Sequence, residues 1–125
     1  MIGPLYTRGV GQELVLALRA EKKHCNMRGT VHGGILATLA DIAIGYSLAF
    51  STEPPTAAVT TSLTVDFLSS AQSGDWLEAS IEFHKLGNRV AFGNCYISRT
   101  NKENSERIVR ASAVFLVTGS LSREA

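Results

Sequence analysis

The chain has 125 residues, of which 45% are hydrophobic and 18% charged, a composition that suits a single domain with its own core rather than a disordered tail. Twelve Lys and Arg against eleven Asp and Glu leave a net charge of +1, and the basic residues are scattered, which argues against a nucleic-acid partner. The two cysteines, Cys25 and Cys95, have no Cys or His nearby at metal-ligand spacing and read as reduced thiols in or near the core.

In chain order, residues 1–8 lack the basic start, apolar stretch and small-residue cleavage site of a secretory signal, so a cytoplasmic protein is expected. Residues 12–20 alternate between apolar and mixed positions, as a strand does. A polar, glycine-containing stretch over residues 21–34 leads into an Ala- and Leu-rich segment at residues 35–50, which predicts a helix stopped by Pro54 and Pro55. That segment is too short to cross a membrane, where about 20 uninterrupted apolar residues are needed, and Asp41 interrupts its middle. It is apolar nearly all round, so it is expected to be wrapped on most sides.

Downstream the period changes to two. Residues 58–68, 76–86, 90–100 and 107–117 read as strands, separated by turn-like segments that imply antiparallel hairpins. The chain therefore reads as one α+β domain over residues 1–125, with its core at about 12–117. One long central helix is wrapped by a five- to six-stranded antiparallel sheet, whose open edge invites a second copy.

Asp41 is the most informative residue, because burying a lone carboxylate in an apolar helix costs several kcal/mol. It reads equally as a structural Asp with a buried donor or as a general base or nucleophile. His32-Gly33-Gly34 leads straight into the helix, where unpaired first-turn amides can hold a developing oxyanion. The two glycines could equally make only a tight turn, and His32 only a structural contact. Gly33 and Asp41 lie eight residues apart, about 12 Å along a helix, too far for one carbonyl carbon to touch both. Two helices packed antiparallel across a two-fold axis would bring Asp41 of one chain to Gly33 of the other.

Asn26, Gly29, His32-Gly33-Gly34, Leu39, Asp41 and Gly45 together resemble the signature of the PaaI-like hotdog thioesterases. Residues 62–71 and 85–92 also look like that family's strand after the helix and its later hairpin. The resemblance implies a hotdog fold and hydrolysis of an acyl-CoA thioester to free acid and CoA. It also implies a homodimer that pairs into a tetramer as a dimer of dimers, and no metal or redox cofactor. By position, Asp41 would activate water or attack the carbonyl, and the Gly33 N–H would hold the oxyanion. Asn26 would orient the water or carbonyl, and His32 would sit beside the thioester. Thr60, with Thr61 as fallback, would hold the opposing Asp41 or the water. Gly34, Thr61, Asn88 and Arg89 complete the substrate contacts.

Where relatives often show Arg-Pro, this chain has Ser69-Ser70, and the turn that is often basic reads Gly87-Asn88-Arg89, so fewer positive groups meet the CoA phosphates. Two other readings compete. A non-catalytic acyl-CoA-binding hotdog module would need no Asp in the helix. A hotdog dehydratase would place its His and acid at a different spacing. The acyl group is left open between aryl and medium-chain types, with Ile44, Tyr46, Leu48 and Phe67 as pocket or core residues.

Overall fold

The Ala- and Leu-rich segment and the period-two segments become one helix and one sheet in the computed structural model, which describes residues 2–9, 13–51, 55–87, 89–101 and 104–120. Helix α1 spans Gly33–Ala49. The strands are β1 (Leu5–Arg8), β2 (Val15–Arg19), β3 (Thr56–Phe67), β4 (Trp76–Leu86), β5 (Val90–Thr100) and β6 (Ser105–Ser120). They form a single sheet in the order β1-β2-β4-β5-β6-β3, with every neighbouring pair antiparallel. The α+β reading and the upper strand number therefore hold. The sixth strand is β1, whose four residues are too few and too exposed to show alternation in the sequence. Of the expected first strand, Val15–Arg19 is extended, and Gln12 lies outside the described residues.

The helix lies close to the sheet because the facing strand residues are small. Ala79, Ala91, Cys95, Ala111 and Ala113 are buried and alternate along their strands with outward-facing neighbours. Leu36, Leu39, Ala40, Ala43, Ile44 and Leu48 of α1 pack onto this surface, joined by Leu16, Leu18, Leu77 and Ile97. Each fully buried Leu or Ile contributes about 1.5–3 kcal/mol relative to exposure.

The expectation that α1 is wrapped on most sides needs correcting. Gly34, Thr38, Tyr46 and Phe50 are exposed, and with half-buried Ile42 they form a row at four-residue spacing. The sheet is open, so it covers only one side of the helix. β3, joined on one side only, to β6, is an edge strand.

β3 also carries an irregularity that matters for the site. Thr60 pairs with Phe115 and Ser62 with Val114, which leaves Thr61 as an extra residue in a β-bulge. The bulge restores the inward parity of the strand. Ala58 lies against the core before it, and Leu63 and Val65 lie against the core after it.

Candidate active site

The turn before α1 is held by two backbone hydrogen bonds. The His32 N–H donates to the His24 carbonyl at 2.8 Å, and the Val31 N–H donates to the Ala71 carbonyl at 2.7 Å. His24 itself is buried: its Nδ1 accepts the Glu21 N–H at 2.9 Å, and its Nε2 lies 2.7 Å from the Ile2 carbonyl. Nothing in the pattern around His24 marks it as an anchor, because its partners are backbone groups brought in by the fold.

Within the loop, Asn26 Oδ1 accepts the Arg28 N–H at 2.9 Å, the Thr30 N–H at 3.3 Å and the Thr30 hydroxyl at 3.1 Å. Three donors on one oxygen fix the orientation of the amide, leaving its NH2 group as the outward donor. Gly29 closes this loop with φ of 83°, a left-handed conformation that glycine adopts without strain.

At the helix start, His32 Nδ1 accepts the Gly34 N–H at 3.0 Å and caps α1. The neutral ring then carries its proton on Nε2, so exposed His32 can donate but cannot serve as a base without losing the cap. The Gly34 amide is used up in this cap. The Gly33 N–H makes no hydrogen bond among the described residues and stands at the positive end of the helix dipole. A Cβ at Gly33 would stand 3.2 Å from the ring of exposed Phe67, close enough that the ring would have to shift by a few tenths of an ångström.

Two turns further along, Asp41 is half-buried rather than enclosed. Its Oδ1 accepts the Thr60 hydroxyl at 3.1 Å, and its second oxygen has no partner among the described residues. Thr60 thus holds the Asp41 of its own chain, because α1 runs alongside β3 within the same subunit. The Thr61 hydroxyl is spent on the Val114 carbonyl at 3.0 Å, where it stabilises the bulge. Arg89 is exposed, and Asn88 lies outside the described residues.

Of the four pocket candidates, Ile44 is fully buried core, Leu48 is buried at the edge of a cavity, and Tyr46 and Phe67 are exposed. The arrangement offers an amide donor at each of two points near the start of α1, and a carboxylate eight residues along it. Acyl transfer to water needs both an activated nucleophile and a place for negative charge.

Comparison with known proteins agrees with this chemistry. Residues 28–104 match the model of the thioesterase superfamily. A Pseudomonas aeruginosa protein named "Putative esterase PA0474" is 47% identical over 117 residues, 92% of this chain and 84% of that one. Acyl-coenzyme A thioesterase 13 of Mus musculus is 28% identical over 99 residues, 79% of this chain and 69% of the relative. Among solved structures, smu.793 from Streptococcus mutans bound to acetyl CoA superposes with a TM-score of 0.87 at 19% identity, covering 98% of this chain and 94% of that one. The E. coli PaaI protein gives 0.83 at 21% identity, covering 93% and 80%. The fold is therefore the hotdog fold implied by the sequence resemblance.

Proposed function

The chain belongs to the thioesterase superfamily, and from that premise we propose that it hydrolyses an acyl-CoA thioester to the free acid and CoA, at a site shared between two subunits of a homodimer. The observation that carries the reading is the pair of groups on α1 without a partner among the described residues: the Gly33 N–H at its start and one oxygen of Asp41, whose other oxygen is held by Thr60. The CoA thioester as substrate is supported by the mouse relative's name and by the acetyl CoA bound to the Streptococcus mutans structure.

In the proposed reaction the free Asp41 oxygen takes a proton from water as the water oxygen adds to the thioester carbonyl. The carbonyl oxygen becomes an oxyanion, which the Gly33 N–H, the helix dipole and the Asn26 NH2 stabilise. Collapse reforms the carbonyl and breaks the C–S bond, and the departing thiolate takes the proton back from Asp41. Water is the only co-reactant. His32 orients the turn through its cap and presents Nε2–H beside the thioester. Exposed Arg89 is proposed to pair with the CoA phosphates.

The separation of about 12 Å between Gly33 and Asp41 is the reason for proposing a second subunit at the site. Two features support it. The apolar row Ile42, Tyr46 and Phe50 lies uncovered on α1, and β3 is a sheet edge. Antiparallel packing of two such helices places Asp41 of each chain against Gly33 of its partner. The outer sheet face adds support for a further pairing into tetramers. There Val90 lies opposite Leu116 and Phe92 opposite Val114, all four exposed.

The test is thiol release from a panel of aryl and fatty acyl-CoAs by wild type, Asp41→Asn and Asp41→Ala. Both variants should lose at least about 100-fold in kcat/KM, the scale of removing an acid–base group. Binding of acyl-CoA without thiol release in wild type would point instead to a binding module. Conversion of enoyl or hydroxyacyl groups with the thioester intact would point to a dehydratase.

A further inference from the structure

Asn26 and Gly33, which supply the two oxyanion donors of the reaction above, are carried by one short hairpin. The His32 N–H donates to the His24 carbonyl at 2.8 Å, the Asn26 N–H donates to the Thr30 carbonyl at 2.9 Å, and Cys25 pairs with Val31 between them. Residues 24–26 and 30–32 therefore run antiparallel in one register. Asn26 stands at the tip of this hairpin, and Gly33 follows directly on its base. A two-stranded ribbon so short does not hold its own shape in water, so its tilt is set by whatever grips it.

One grip comes from the segment between β3 and β4, where the Val31 N–H donates to the Ala71 carbonyl at 2.7 Å and Thr30 pairs with Gln72. The other is the His24 side chain, which is 1% exposed. Its Nδ1 accepts the Glu21 N–H at 2.9 Å, which leaves the proton of the neutral ring on Nε2, and Nε2–H donates to the Ile2 carbonyl at 2.7 Å. Both partners lie outside the hairpin. Glu21 caps the single 3-10 turn Lys22–His24. Ile2 packs against the core just ahead of β1, and the Lys23 ammonium ties the same segment through the Gly3 carbonyl at 2.5 Å. Packing alone does not call for a polar ring at a fully buried position, whereas two bonds to different parts of the chain do.

Resting on the thioesterase reading above, we propose that His24 is the positioning residue of the oxyanion site: its ring clamps the base of the hairpin between the Glu21 N–H and the Ile2 carbonyl and so sets the spacing of the Asn26 NH2 and the Gly33 N–H. Without the ring the hairpin keeps only its grip on Ala71 and Gln72, and a tilt about that grip moves both donors. A displacement of about 1 Å at the reacting groups costs about 100-fold in rate. The oxyanion exists only in the transition state, so the loss falls on kcat rather than on KM.

The experiment measures thiol release from benzoyl-CoA and decanoyl-CoA by wild type, His24→Leu and His24→Asn. Leucine makes neither bond, and asparagine offers an oxygen to the Glu21 N–H but is too short to reach Ile2. Each folded variant should lose about 10- to 100-fold in kcat on the substrate that wild type cleaves, with KM within about threefold. Unchanged kcat, or a loss carried by KM, would overturn the assignment. If His24→Leu does not fold, His24→Asn decides alone. Amide hydrogen exchange separates the clamp from the thioesterase reading and from a loss of overall stability. In His24→Asn the His32 and Asn26 amides should exchange about 10-fold faster, over and above any change in the amides of β4 and β5, which report global opening. Equal acceleration everywhere, or no change at His32 and Asn26, refutes the clamp. If wild type cleaves neither substrate, the thioesterase reading fails, and the exchange measurement alone decides whether His24 holds the hairpin.

Discussion

The Thr60 hydroxyl donates to one Asp41 oxygen at 3.1 Å, and in the proposed mechanism it would position the carboxylate without touching the substrate. A hydrogen bond to a charged group is worth about 1.5–3 kcal/mol, so Thr60→Val should lower kcat about 10- to 100-fold, while Thr61→Val should leave it largely intact. Asn26 can be dissected more finely. Asn26→Asp keeps the oxygen that organises the loop, replaces the NH2 donor by a second oxygen and adds a negative charge. It should keep the wild-type melting temperature and lose about 100-fold or more in kcat, as oxyanion donors do. Full activity in that variant would reduce Asn26 to a loop residue. Away from the site, burial pushes the Cys95 thiol up to about 12 from its ordinary 9.0. The folded state therefore favours the protonated thiol, and that contribution is complete below pH 9 and lost as pH rises toward 12. Denaturant midpoints should fall across that range in wild type and fall less in Cys95→Ala. Asp41 and the glycine turn were legible in the sequence because a carboxylate and paired glycines are out of place in an apolar helix. Thr60 and Thr61 could not be told apart with certainty from strand period alone, because a bulge decides which one faces inward.

Among elements, α1 shows what pattern can and cannot reveal. Its extent was predicted to within two residues at its start and one at its end, because Ala and Leu content and the following prolines state it plainly. Its uncovered row was not predicted, since an all-round apolar helix looks the same whether its last face meets a strand or a second subunit. Ser47, buried on this helix, has a hydroxyl with no partner among the described residues. Ser47→Ala removes an unsatisfied group and improves helix propensity, so it should stabilise the fold by about 1 kcal/mol, read as a rise in melting temperature. A loss of stability would mean that the hydroxyl is satisfied in solution. The β4 and β5 strands were readable to the residue because their residues alternate or are β-branched over most of their length and turns bound them. β1 and the His24 anchor were not, since both depend on backbone partners distant in sequence.

For the whole molecule, the helix arithmetic done on the sequence survives in the structure, where Gly33 and Asp41 lie on one continuous helix. The sheet edge at β3 and the partly exposed row of α1 are the surfaces that the proposed dimer would cover. Sharing can be tested with two inactive proteins. Asp41→Asn and Asn26→Asp are mixed in equal amounts, allowed to exchange subunits, and assayed for thiol release. If each site takes Asp41 from one chain and Asn26 with Gly33 from the other, a mixed dimer holds one intact site, and the mixture should recover about one quarter of wild-type activity. Recovery no greater than the sum of the two separate variants would contradict the shared site and return catalysis to a single chain.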